Sequence, residues 1–259
     1  MSKSYRKEFQ IRPTETDRYG RLKPSAMLLY IQQTAGEHSD SYDLTYDALA
    51  QRGIFWAVIR HRIEIIRLPV ENETITLETW PMPTTKVAYP RSTVAYDAQG
   101  NVLFRSVCLW ILMDLNDRSM LVPKKSGVEV EGLLRGDELP TPKSLLPQDL
   151  QNRVSRSVVF SDLDRNGHMN NARYLDWVQD LLPSEHHREH PVKELTMCYI
   201  NEALEGQKLD LTWDRDEEGS LHFNVRVAED DLMFDDISCG LKIKQMQMEK
   251  RDLLESLEM

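Results

Sequence analysis

The chain contains one pattern twice. When Asp17 is set on Asp164, Arg18 falls on Arg165, Gly20 on Gly167 and Leu22 on Met169 with no gap. Further on, Leu28 falls on Leu175, Tyr30 on Trp177, Ile31 on Val178 and Gln32 on Gln179. Matches sustained in one apolar phase mark a duplicated structural unit. A short alternating segment precedes each copy, YRKEFQI and RVSRSVVF. Alternating, β-branched segments follow each copy: WAVIRHRIEIIRLPVENETITLETW, KVAYPRSTVAYD and NVLFRSVCLWILMD after the first, then VKELTMCYINEALEGQKLDLTW, SLHFNVRVAED and MFDDISCGLKIKQ after the second. Turn-forming stretches such as DAQGN and RDEEGS separate them, as in an antiparallel sheet. Each half is therefore read as one strand, a polar loop, one long helix and about four further strands, an α+β arrangement.

The 259 residues suffice for two such units. The reading places the first at 1–135 and the second at 151–259. Between them, 136–150 falls in RGDELPTPKSLLPQDLQ, which has three prolines and no sustained periodicity and suits a linker. The charged tail QMEKRDLLESLEM suits a short surface helix or a frayed end. In 24–35 the pattern is apolar nearly all round, from Ala26 through Met27 to Ile31, as for a helix buried in a curved sheet. Pro24 suits its first position, where a missing N–H costs nothing. In 170–182, Tyr174, Leu175, Trp177, Val178, Leu181 and Leu182 share one helical face, with Asn170 as N-cap.

Composition bounds the function. With 41% hydrophobic and 29% charged residues the chain reads as soluble and globular, and no run approaches the length of a membrane span. The N-terminus MSKSYRKEFQ lacks the apolar core of a signal peptide. Three widely spaced cysteines, Cys108, Cys198 and Cys239, suit free thiols in a reducing cytoplasm. A net charge of −10 argues against nonspecific nucleic-acid binding, and an acidic partner would need a local basic patch. Arg60 with Arg62, and Lys124 with Lys125, are candidates for one. The histidines of EHHREH, His186, His187 and His190, read as a solvated loop in preference to metal ligands, and no metal is expected.

The chemistry concentrates in SDLDRNGHMNNARYLDWVQD, residues 161–180. Asp164, Asn166 and His168 alternate, so an extended loop would point a carboxylate, an amide and an imidazole to one side, able to hold and deprotonate a water. Gly167 would let the loop approach closely. Backbone N–H groups at the following helix start could stabilise an oxyanion. The competing reading is an Asx-rich turn. The repeat weighs against a turn alone, because Asp17 is kept while Tyr19 replaces the Asn and Arg21 the His.

The stretch DRNGHMNNARYLDW resembles the D-x-N-x-H-x-N-N-x-x-Y pattern of the acyl-acyl-carrier-protein (acyl-ACP) thioesterases. DRYGRLKPSAMLLYIQQTAGEHSDSY, FWAVIRHRIEIIRLP, TLETWP and WILMD are similar to that family's first domain. The resemblance implies a tandem, or double, hot-dog fold, each half a long helix wrapped by an antiparallel sheet of about five strands. It implies hydrolysis of fatty acyl thioesters on the phosphopantetheine arm of acyl carrier protein, without metal or organic cofactor, and leaves room for a homodimer. The family's catalytic Asp, Asn and His fall on Asp164, Asn166 and His168. Its catalytic Glu, in a strand context Y-x-x-E-C, falls on Glu202 after Tyr199, with Ala203 in place of the Cys. That departure excludes a thiol nucleophile there and favours water as the attacking group. Gly167, Met169, Asn170, Asn171 and Tyr174 are the expected substrate contacts around the loop. Met27 and Ile31 are expected to line an acyl tunnel in the first half. Alternatives are an acyl-CoA thioesterase, a hot-dog dehydratase or hydratase, and a non-catalytic acyl-binding module.

Overall fold

A computed structural model describes residues 3–146, 148–228 and 237–245. The chain divides into two units, Met1–Ser144 and Leu145–Met259. In the first, β1 (Tyr5–Gln10) is followed by helix α1 (Pro24–Asp40), the short α2 (Tyr46–Gln51), then β2 (Ile54–Ile65), β3 (Thr74–Pro81), β4 (Tyr89–Tyr96) and β5 (Val102–Asp114). The strands lie antiparallel in the order β1-β3-β4-β5-β2, with β6 (Met120–Leu121) against β5 and a turn of helix, α3 (Pro123–Ser126), after it. The second unit runs β7 (Asn152–Ser157), α4 (Arg173–Gln179), α5 (Ser184–Glu189), β8 (Val192–Tyr199), β9 (Lys208–Arg215), β10 (Leu221–Val227) and β11 (Ile237–Gln245). Its antiparallel order, β7-β9-β10-β11-β8, is the same topology. The duplication read from the sequence is thus present in the architecture, a tandem hot-dog.

The two helices differ more than the sequence implies. α1 starts at Pro24 and continues beyond residue 35 to Asp40. Met27, Leu28 and Ile31 are fully buried, whereas Leu29 is 42% exposed, so the helix has one solvent edge. α4 is only seven residues long, not the long helix expected over 170–182. Residues before it form a turn in which Asn170 Oδ1 accepts the Ala172 N–H at 2.9 Å, and the N-cap is Ala172, not Asn170. Pro183 disfavours helical geometry at Leu182, so the helix has already ended, and Pro183 then caps α5. That second short helix carries His186 and His187, which were expected in a loop, and His190 is its C-cap. His186 Nε2 lies 2.8 Å from Gln245 Oε1 and His187 Nε2 2.9 Å from the Gln179 carbonyl.

The described residues of the proline-containing stretch form no helix or strand; its start, at Arg135, is fastened to the first unit, whereas Leu145 and Gln148 bond to Cys198 and Asn224 of the second. The Arg135 guanidinium sits 3.9 Å from the Trp80 ring centroid and reaches Glu78 at 2.6 Å. Burial would raise the Glu78 pKa, but hydrogen bonds from Arg135 and Arg6 outweigh it and hold it at about 2. Gly132 passes so close that a Cβ would lie 2.3 Å from Pro83 N, which requires glycine there. The charged C-terminal tail lies outside the described residues.

His61, on β2, is buried with Nε2 2.6 Å from Ser106 Oγ. Burial lowers its pKa from 6.5 to about 3, so the folded protein keeps it neutral while the unfolded chain protonates it first. Its contribution to stability is therefore complete above pH ~6.5 and is lost progressively as pH falls toward ~3. Denaturation midpoints measured across that window should fall less steeply with acid in His61→Gln than in the parent protein.

Candidate active site

The site is built on a turn. Asp164 Oδ1 accepts the N–H groups of Asn166 at 2.8 Å and His168 at 3.3 Å, while the Asp164 N–H donates to the His168 carbonyl at 2.8 Å. Gly167, at φ +77°, donates to the Asp164 carbonyl at 3.0 Å. Residues 164–168 are therefore a closed Asx turn, not an extended loop, because the Asp carboxylate satisfies amides the turn would otherwise leave unpaired. The alternation argument for three side chains on one side does not hold. Asn166 stands exposed at the tip, and one Asp164 oxygen is engaged by backbone.

The turn is then stitched to the segment following β8. His168 bridges Leu204, and the Met169 N–H donates to the Ala203 carbonyl at 2.8 Å. This brings His168 Nε2 to 3.2 Å from Glu202 Oε2, with the imidazole 12% and the carboxylate side chain 35% exposed. Glu202 lies in the loop after β8 and not in a strand, since β8 ends at Tyr199. Cys198, near the end of β8, is buried and accepts the Leu145 N–H at 3.3 Å. Around the pair, Met169 and Tyr174 are buried. The Tyr199 hydroxyl donates to the Asn171 carbonyl at 3.2 Å, and its ring meets Tyr174 edge-on at 5.9 Å. Met27 and Ile31 belong to the first unit, in α1.

The start of α4 is a poor oxyanion donor. The N–H groups of Met169, Asn170, Ala172 and Arg173 are already bonded to the Ala203 carbonyl, the Asp162 carbonyl, Asn170 Oδ1 and the Asn170 carbonyl. What the arrangement offers is a partly sheltered imidazole–carboxylate pair, able to orient and deprotonate a water.

The first unit repeats this frame without the pair. Asp17 Oδ1 accepts the N–H groups of Tyr19 at 2.8 Å and Arg21 at 3.0 Å, and the Gly20 N–H donates to the Asp17 carbonyl at 3.0 Å. Arg21 bridges Val70 as His168 bridges Leu204, which sets Leu68 where the second unit has Glu202. The Arg21 guanidinium turns back onto Asp17 Oδ2, at 3.0 and 2.9 Å. The turn is structural in both copies; the imidazole and its carboxylate exist in one.

The same comparison exposes a residue that motif reading missed. Asp162 is 7% exposed and accepts the Val159 N–H at 3.1 Å and the Trp177 Nε1–H at 3.3 Å, pinning α4 to the turn. Glu15 does the same in the first unit, accepting the Arg12 N–H at 2.9 Å and the Tyr30 hydroxyl at 2.5 Å. The signal was available, because the alignment that pairs Asp17 with Asp164 also pairs Glu15 with Asp162. Asp162→Ala should cost about 1–3 kcal/mol, the penalty for stranding buried hydrogen-bonding groups. Chemical denaturation checks this, and Asp162→Asn should recover part of the loss.

Residues 2–125 match the model of the acyl-ACP thioesterase N-terminal domain, and residues 147–248 that of the C-terminal domain. Among curated proteins, a chloroplastic acyl-ACP hydrolase of Cuphea viscosissima is 24% identical over 216 residues, covering 77% of this chain and 52% of its own. A chloroplastic oleoyl-acyl carrier protein thioesterase of Coriandrum sativum is 24% identical over 229 residues, covering 80% and 61%. The chain thus spans about half to three fifths of the length of these relatives. A crystal structure of an acyl-ACP thioesterase from Bacteroides thetaiotaomicron shares the fold at TM-score 0.85 and 22% identity, covering 95% of this chain and all of that one. A 12:0-ACP thioesterase from Umbellularia californica does so at TM-score 0.80 and 19% identity, covering 96% and 99%. With both domain models matched in order, and with the fold shared, the chain belongs to the acyl-ACP thioesterase family.

Proposed function

We propose that this protein hydrolyses fatty acyl thioesters held on acyl carrier protein, releasing the free fatty acid and the carrier thiol. The observation that carries the reading is the His168–Glu202 pair, 3.2 Å apart on the turn that bears the family's Asp-x-Asn-x-His pattern. Glu202 takes a proton from a water. His168, with Nε2 3.2 Å from its Oε2, fixes the carboxylate's direction. The water oxygen bonds to the thioester carbonyl carbon, the Asn166 amide donates to the carbonyl oxygen as it becomes anionic, and the C–S bond then breaks with the proton passing to the departing thiolate. Asp164 and Gly167 hold the turn that presents Asn166 and His168. Chain-length selection is assigned to the first unit, Met27 and Ile31 among its residues, and the chemistry to residues 151–259.

The carrier-bound form is preferred over acyl-CoA in this reading because the chain belongs to the family named for it. No helix among the described residues is long and apolar enough to cross a membrane. The three cysteines are buried and none is in a disulfide, which fits work in a reducing compartment such as the cytoplasm. The test is a thiol-release assay across acyl lengths on both carriers. Free fatty acid and thiol in equal amounts, faster from the carrier-protein form, are expected. Turnover of a 3-hydroxyacyl or enoyl thioester without thiol release would make the protein a lyase instead.

A further inference from the structure

The two units fill the same sheet positions with opposite chemistry. β1 and β7 sit in one register on their neighbours, Gln10 opposite Thr74 and Ser157 opposite Lys208. Carried across the strands, that register sets Thr79, Thr93, Ser106, Arg91, Cys108 and His61 of the first unit on Trp213, Phe223, Leu241, Leu221, Ile243 and Leu195 of the second. Five of those second-unit residues are buried apolar side chains. The fold therefore does not need polar groups at these places, and a buried polar group costs stability unless something compensates it. The first-unit set is buried as well, with Thr79 and Thr93 at 0% and Arg91 at 9% exposure.

Most of this polar row satisfies itself. The Thr79 hydroxyl donates to the Ser92 carbonyl at 2.9 Å, the Thr93 hydroxyl to Thr79 Oγ1 at 2.9 Å, and Ser106 pairs with His61. Arg91 does not. Nη1 lies 3.0 Å from His38 Nδ1, on α1, and 3.3 Å from Thr79 Oγ1. Among the described residues, Nε and Nη2 make no hydrogen bond and no carboxylate pairs with the guanidinium. Cys108 supplies no counter-charge, because burial pushes its thiol up to about 11. The unused Nε–Nη2 edge is the fork that grips a carboxylate with two parallel hydrogen bonds.

We propose that Arg91 anchors a carboxylate-binding site on the α1-facing side of the first unit's sheet, taking the carboxylate of an acyl ligand. That the ligand is an acyl compound rests on the acyl-thioester reading; that it bears a carboxylate rests on Arg91 and the apolar residues standing at the equivalent places. Two ligands share this chemistry: a free carboxylic acid such as hydrolysis releases, and an acyl thioester whose far end carries a second carboxylate. A bound carboxylate neutralises a charge that the protein otherwise leaves alone in its interior.

The test compares binding of saturated fatty acids with that of the alcohols of equal length, by calorimetry on the whole protein. It needs no turnover, so its failure and that of the hydrolase reading are distinguishable. The expected result is acid binding at least about tenfold tighter than alcohol, the scale of a hydrogen bond to a charged group. That preference should be lost in Arg91→Met and partly kept in Arg91→Lys. A second arm compares hydrolysis of ω-carboxyacyl and plain acyl thioesters of equal length. An Arg91-dependent preference for the ω-carboxy form assigns the site to substrate, and a preference confined to the free acids assigns it to released product. Acid and alcohol binding equally to the parent protein, with no ω-carboxy preference, would overturn the proposal whether or not the Arg91 variants fold.

Discussion

Glu202→Gln is expected to lower kcat by about 10²–10⁴, the range for losing a positioned general base. The substitution keeps shape and a hydrogen-bond acceptor near His168, so the 3.2 Å contact has a neutral substitute. The side chain is 35% exposed in a loop, outside the core, so folding should survive. KM should change little, because in the proposed mechanism the carboxylate works on water and not on the acyl chain. The measurement is steady-state hydrolysis of an acyl-ACP thioester, with circular dichroism to verify folding. Near-normal kcat in a folded variant would remove Glu202 from the chemistry and return the role of base to Asp164 or His168.

His168→Gln should produce a loss of the same order, about 10²–10⁴. Its backbone is tied at three places: the N–H to Asp164, the carbonyl to the Asp164 N–H, and the bridge to Leu204. None of these needs the imidazole, so the turn should persist. What disappears is the ring that directs Glu202. If His168 acts only through Glu202, the double variant should be hardly slower than either single one, since the second substitution removes a partner already idle. Multiplying losses would instead show that the two groups act independently.

The repeat, the run of elements along each half and the position of the polar turn are legible because they depend on local signals. An Asp, a loop glycine and an apolar phase recur with their spacing intact, and each specifies its geometry within a few residues. Less legible was anything set by pairing across the sheet. Asp164–Asn166–His168 reads as alternation in a linear sequence, but Asp164 closes the segment into a turn by accepting two amides. Glu202 was placed in a strand, whereas β8 stops at Tyr199 and the chain turns toward Met169 through a backbone bond that no spacing reveals. The helical pattern over 170–182 was correct in phase and wrong in length, because Asn170 diverts the first turn and Pro183 the last. The row around Arg91 is not legible in the sequence because Thr79, Thr93 and Cys108 are far apart along the chain, and each alone is ordinary in a strand.

In the proposed mechanism two nearly identical turns carry different duties, chemistry on one and architecture on the other. His168→Gln and Arg21→Gln test it side by side, at equivalent positions of the two units, by acyl-ACP hydrolysis on folded protein. Arg21→Gln breaks the ion pair with Asp17, in which the two side chains are 18% and 29% exposed, and should cost at most about 1 kcal/mol of stability. Arg21→Gln is expected to keep most of the parent activity while His168→Gln loses nearly all of it. Comparable loss in both folded variants would contradict it, since the first unit's turn would then take part in catalysis.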